Sequence, residues 1–266
     1  MKNFLSYVGG RLKNPAILIL HILYVAFLAF SCVWFPLRGH APYALLAGAF
    51  ILVSPLIFLV EYTFRITCGA LFTALVLFLA GGGVAGGGYN LYTIIPIFDS
   101  ILHTTSGVIV TLLGTALATL VLYRNGDRGD SRNKRFFSTL AFGVFFSLGI
   151  ALLWEMLEYA GTTLFGFDMQ EDSIVTTIRS YLLSGTHSAP TEIPDIYETV
   201  IYYGDGQTYV IHGGYMDLGL YDTLDDMLVC LLGTAVSSVV LTVNHFLHGH
   251  ADKLLVPQVR NMPSEN

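Results

Sequence analysis

Six apolar runs, each long enough to cross a hydrocarbon core of about 30 Å, leave this chain few ways to fold. They lie near residues 15–35, 42–60, 66–84, 97–122, 136–160 and 224–246. Inside lipid a backbone must satisfy its own polar groups, so runs of this length predict helices. The expected fold is all-α: one membrane domain over 1–266, built as a polytopic bundle of about six transmembrane helices in a lipid bilayer. Composition agrees, with 54% hydrophobic residues and 12% charged. Lys2, Arg11 and Lys13 precede the first run as they would in a signal peptide. That run continues for a full span without a small-residue cleavage site, and is read as a retained helix. Pro55, after Ser54 in the second run, predicts a kink rather than an end, because neighbours in a bundle can satisfy the freed carbonyl.

Basic residues orient the bundle. Lys2, Arg11, Lys13, Arg65, Arg124, Arg128, Arg132, Lys134, Arg135, Lys253 and Arg260 flank one side, and only Arg38 and Arg179 the other. Both termini are therefore expected in the cytoplasm of a bacterial cell, with the chain in the inner membrane. The net charge of -6 is divided among segments, and no basic face for nucleic acid emerges.

The 161–223 connection is then extracytoplasmic, and too long for a simple turn. Within it, ETVIYYGDGQTYVIHGG reads as a β-hairpin, with β-branched and aromatic residues on either side of Gly-Asp-Gly. The segment is either a small cap on the bundle or a tethering loop with local strands. GGGVAGGG, Gly81 to Gly88, lacks the Lys-Ser/Thr and the preceding strand of a phosphate-binding loop. It reads as a flexible connector or as the close-packed end of the third helix. Cys32, Cys68 and Cys230 are too scattered for a disulfide framework and read as small packing residues.

Ionisable groups collect at the extracytoplasmic end. Asp99 opens the fourth helix in FDSILH, and His103 follows four residues later on the same face, roughly 6 Å deeper. Ser106 and Gly107 continue that face with small groups that admit another helix. The fifth helix ends in WEMLEY with Glu155 and Glu158, and the sixth opens in YDTLDDM with Asp222 and Asp226 on one face and Asp225 beside them. Capping and the helix dipole account for an aspartate in a first turn. They do not account for glutamates at a helix C-terminus, where the dipole disfavours anions, so Glu155 is expected to have a partner inside the bundle.

Several carboxylates at one depth repel each other by several kcal/mol unless protons or a cation balance them. His103 as an imidazolium, a divalent ion, a cationic substrate or relay protons would each do so. Asp99, His103, Glu155, Glu158, Asp222 and Asp226 form a credible ligand set for zinc, manganese or iron. A metal-dependent enzyme acting on an envelope or lipid-linked substrate, or on another small molecule, would use such a site. A cation- or proton-coupled transporter, or a non-catalytic assembly or sensor module, would also fit. Below His103 the sequence offers mostly Ser, Thr and Gly, which weakens the transport reading. His245, His248 and His250 near the C-terminus read as an interfacial tail, and His187 and His212 in the long connection are candidates to reach the acids.

The ordered pattern FDSILH, WEMLEY and YDTLDDM resembles the uncharacterised bacterial inner-membrane family typified by YjdF and, more distantly, the VanZ-like membrane proteins. The resemblance covers the chain from the fourth span onward. It implies functional positions at Asp99 and His103, at Glu155 and Glu158, and at Asp222, Thr223, Asp226 and Met227. The chain departs from the pattern in its YVIHGGYMDLGL segment, which expands the outer connection, and in the extra acid Asp225. The resemblance brings no established reaction with it.

Overall fold

A computed structural model of the protein describes residues 2–123, 129–166, 169–247 and 255–260. Arg124, Arg128, His248, His250 and Lys253, used in the sequence reading, lie outside the described residues. Among the described residues, six helical stretches are long and apolar enough to cross a membrane: Pro15–Leu37, Ala41–Phe64, Ala70–Gly88, Phe98–Tyr123, Arg132–Phe165 and Leu220–Phe246. The molecule is a polytopic helical bundle. Chain contacts divide it into two compact units, Met1–Leu152 with Leu228–Asn266, and Leu153–Met227.

The first unit opens with α1 (Lys2–Arg11) and α2 (Pro15–Leu37). Asn14 starts α2 by accepting the Ala16 N–H at 3.0 Å, with Pro15 supplying a preset φ where no N–H is needed. The second span is two helices in series, α3 (Ala41–Ile51) and α4 (Val53–Phe64). The break at Leu52 follows from Pro55, which has no N–H to give the Ile51 carbonyl one turn back; the ladder resumes from Leu56 N to Leu52 O at 3.1 Å. Strand β1 (Ile66–Thr67) precedes α5 (Ala70–Gly83), a π-turn over Val84–Gly88, and α6 (Leu91–Ile94).

The glycine run is the packed end of a helix rather than a connector. A Cβ at Gly82, Gly86 or Gly88 would drive into Leu102, Tyr92 or Phe35 respectively, so the run lets three large side chains close on the backbone. Tyr24, Leu28, Phe35, Ala47, Leu77 and Val84 form the core beneath it.

Helix α7 (Phe98–Tyr123), the first part of α8 (Arg132–Phe165) and the later part of α10 (Leu220–Phe246) meet in this unit through small and hydroxylated residues. A Cβ at Gly107 would strike the Cys230 carbonyl oxygen, and one at Gly233 the Thr104 carbonyl oxygen, so α7 and α10 approach to backbone contact from both sides. Ser147 of α8 lies 2.9 Å from Thr234 Oγ1 and donates to the Gly107 carbonyl at 3.3 Å. Lipid tails are as apolar as a leucine, so close backbone approach and buried hydroxyl bonds hold such helices together where hydrophobic burial cannot. Strand β8 (Gln258–Val259) returns the C-terminal segment to pair antiparallel with β1.

The second unit contains the later part of α8, the opening of α10, and the long connection. Its elements are β2 (Ser173–Val175), β3 (Ile178–Ser180), α9 (Tyr181–Ser184), β4 (Thr191–Ile193), β5 (Glu198–Tyr203), β6 (Gln207–His212) and β7 (Tyr215–Asp217). Strands β5 and β6 form the hairpin, Tyr203 opposite Gln207 across Gly204-Asp205-Gly206. The turn needs its glycines, with φ of +54° and +85°. β2 pairs with β7, tying the start of the connection to its end, and β3 pairs with β4 with Arg179 opposite Glu192.

Candidate metal centre

In the second unit, Glu155 and Glu158 lie one turn apart on α8, and Asp226 lies in the second turn of α10. Their carboxylate oxygens lie within 4.8 Å of one another, and the three residues are 4%, 8% and 5% exposed. The local sequence explains the burial. Around these acids, Leu153, Trp154, Met156, Leu157 and Tyr159 are exposed apolar or aromatic residues, the lipid-facing side of a membrane helix. The carboxylates are thus the inward stripe of a helix with an apolar outer surface, the arrangement expected of ionisable groups that have a partner within a bundle. Trp154 turns its indole back to donate to Glu158 Oε1 at 2.8 Å, which fixes that carboxylate's rotamer.

The opening of α10, which carries Asp226, is held from the connection. Gln170 Nε2 donates to Thr223 Oγ1 at 2.7 Å, the Glu171 N–H donates to Asp222 Oδ2 at 2.9 Å, and the Tyr221 N–H donates to Asp217 Oδ2 at 2.9 Å. Gly219, at φ +88°, packs where a side chain would collide with Gln170. The opening of α10 is therefore stapled to the segment that follows α8. Asp222 serves this staple, and Asp225 is exposed.

Three full negative charges within 4.8 Å would repel by about 3–4 kcal/mol per pair at an effective dielectric near 20. Bound protons or a cation must offset that. All three residues offer hard oxygen donors, a set suited to manganese, magnesium or calcium and open to zinc or iron when an imidazole joins it.

In the first unit, Asp99 opens α7 and His103 lies on the same face, with Nε2 and Oδ2 3.6 Å apart and both side chains partly buried. Three other candidate histidines are among the described residues. In the hairpin, His212 faces Glu198 at 3.4 Å, and His187 lies against Tyr181; both are exposed. His245 is buried, bonded through Nε2 to Asn133 Oδ1 at 2.9 Å and stacked on Phe136, so it packs within the bundle rather than trailing as a tail.

One buried charge escapes the sequence reading. Glu61, in the last turn of α4, is fully buried and takes two bonds from Arg11, one from the Tyr7 hydroxyl at 2.9 Å and one from the Cys68 N–H at 2.7 Å. Arg11 also donates to the Cys68 carbonyl at 2.6 Å, and Arg260 to the Glu61 carbonyl at 2.8 Å. Burial, with the Glu61 charge behind it, pushes the Tyr7 hydroxyl up to about 12 and the Cys68 thiol up to about 12. A lone glutamate inside an apolar span was the available signal.

The fold and its inward carboxylates define a multispanning membrane protein with a potential cation-binding cluster. Residues 17–246 match the family described as predicted membrane protein (DUF2238), and the chain belongs to that family. Comparison with curated proteins and with solved structures finds no match.

Proposed function

We propose that this protein binds a divalent cation through Glu155, Glu158 and Asp226, and that the site faces the extracytoplasmic side of a bacterial inner membrane. The single observation that carries the reading is three buried carboxylates with oxygens within 4.8 Å, two of them on a stretch of α8 whose exposed neighbours are apolar and the third on α10. Manganese suits these carboxylates as they stand, and zinc or iron suits them once the His103 imidazole joins the set. The sequence adds Asp99, His103 and Asp222 to the ligand set, because each opens or follows a helix start on the side opposite most basic residues. The same distribution of Lys and Arg puts both termini in the cytoplasm. The resemblance of FDSILH, WEMLEY and YDTLDDM to the YjdF-typified family supports the same positions.

A bound divalent ion would supply Lewis-acid polarisation of a substrate oxygen, which suits hydrolysis or transfer on an envelope or lipid-linked molecule. In that role Asp226 and one glutamate hold the ion, and the second glutamate is the candidate proton acceptor, oriented by Trp154 in the case of Glu158. Metal analysis of the purified full chain tests the reading. About one ion per chain is expected in the parent, and loss of it in Glu155→Gln and Asp226→Asn. A folded parent that neither carries nor takes up manganese, zinc or iron would overturn it. Retention of the ion in His103→Ala would remove His103 from the ligand set.

A further inference from the structure

A feature independent of the carboxylate cluster lies in the same unit, in the β5–β6 hairpin. Cross-strand neighbours share a face of a sheet, so the register sorts its side chains. Thr199, Ile201 and Tyr203 stand opposite Ile211, Tyr209 and Gln207 on one face, which carries no ionisable group. The other face holds Val200, Tyr202 and Val210 together with Glu198 and His212, which pair at 3.4 Å. The outer part of the uncharged face is open: Tyr209 is 62% exposed, Tyr203 50% and Ile201 41%. A two-stranded ribbon alone is marginal in water, and its apolar face needs cover.

The hairpin is firmly rooted. The Gly213 N–H donates to the Tyr197 carbonyl at 2.8 Å, Thr199 Oγ1 to the Gly214 carbonyl at 2.9 Å, and the Ile196 N–H to the Thr176 carbonyl at 2.8 Å. A Cβ at Gly214 would strike the Val175 carbonyl oxygen, so β2 closes directly on this root. Strand β7, paired with β2, ends at Asp217, which accepts the Tyr221 N–H in the first turn of α10. A series of bonds therefore ties the hairpin to the start of a membrane span. Leu220 follows His212 by eight residues, at most about 28 Å of extended chain.

That start is bordered by lipid. Leu220, Tyr221 and Leu224 are exposed on α10, as Leu164 is near the end of α8, and apolar groups exposed on membrane helices face the bilayer. The uncharged face of the hairpin offers the same chemistry within the same compact unit, and in tyrosine it carries a residue that settles at headgroup level. The backbone bounds its depth. The outer edges of a ribbon leave N–H and C=O groups unpaired, which hydrocarbon penalises heavily and headgroups with their water satisfy.

We propose that the uncharged face of the hairpin rests in the headgroup layer of the membrane beside α10, with Ile201, Tyr203 and Tyr209 as its contacts. Its partner is a phospholipid surface, and because the face has no basic residue, the contact does not depend on anionic lipid.

The test uses the full chain, one copy per phosphatidylcholine nanodisc, with Cys32→Ser leaving only the buried Cys68 and Cys230. Nitroxides at Tyr209→Cys and, on the other face, at Thr208→Cys report collisions with oxygen, which concentrates in lipid, and with a water-soluble nickel chelate. Both positions are exposed, so neither label disturbs packing. The label at 209 should meet oxygen in preference to nickel and the label at 208 the reverse, with the contrast unchanged when phosphatidylglycerol replaces part of the lipid. Ile201→Glu, directly across from 209, should make the 209 label report water, while Val200→Glu on the other face should leave it as it was. The same preference at both positions overturns the proposal, as does a contrast that survives Ile201→Glu. A contrast that appears only in discs holding two copies assigns the face to a second chain and overturns it too.

Discussion

Arg11 meets Glu61 as a parallel fork, Nε to Oε2 at 2.9 Å and Nη2 to Oε1 at 2.9 Å, and ties α1 to the end of α4 across fifty residues of chain. Removing one partner strands the other in a site that water does not reach. Arg11→Met alone should therefore destabilise the protein by about 3–5 kcal/mol, and Arg11→Met with Glu61→Met by clearly less. Unfolding of detergent-solubilised protein by titrated dodecyl sulfate reads both. A single variant as stable as the parent would show that the pair adds nothing to folding.

The same cluster gives the protein an alkaline limit. The folded-state values of Cys68 and Tyr7 are raised to about 12, above their ordinary 9.0 and 10.0. Below pH 9 both groups are protonated folded or unfolded, and the slope of stability with pH from them is zero. Between about pH 9 and 12 the unfolded chain releases protons that the folded chain keeps, so stability falls as pH rises, by up to about 1.4 kcal/mol per pH unit from Cys68. Melting temperature followed from pH 8 to 11 should decline, and Cys68→Ala should flatten the first part of the decline. An equal decline in both proteins would remove Cys68 from the account.

The spans are legible in the sequence because run length alone decides them, and the hairpin because Gly-Asp-Gly forces a turn at one place. The grouping of Glu155, Glu158 and Asp226 is legible for a different reason: anions at a helix C-terminus find no help from the dipole, so they require a partner. The Arg11–Glu61 fork is not, since Arg11 reads as a boundary cation like any other and its partner lies on a non-adjacent helix. The staple on Asp222 is equally hidden. An aspartate four residues before another on a helix predicts a shared face, and gives no sign that a backbone N–H from the connection, at Glu171, also donates to it. The return of β8 to β1 is hidden as well, a pairing of two residues on each side that leaves no periodic trace.

Gly107 and Gly233 make one interface from opposite sides, each against a backbone carbonyl that cannot move aside as a flexible side chain could. Gly107→Ala and Gly233→Ala should each lower stability by about 1–3 kcal/mol or more. Because both force α7 and α10 apart along the same seam, the double variant should lose less than the sum of the two. Thermal unfolding in detergent measures the three proteins, and strict additivity would mean that the two glycines guard separate contacts.

Trp154 separates positioning from ligation at the proposed metal site. Its indole N–H donates to Glu158 Oε1 at 2.8 Å, and it contributes no atom to the carboxylate cluster itself. Trp154→Phe keeps an apolar ring at the lipid-facing position and deletes only the donor. Such outer partners orient the atoms that hold an ion, and their loss typically lowers affinity about 10- to 100-fold. Competition with a chelator of known affinity should find that drop in Trp154→Phe with stoichiometry unchanged, against loss of stoichiometry in Asp226→Asn. If Trp154→Phe binds manganese as the parent does, the indole is not what orients Glu158, and it serves the membrane interface instead.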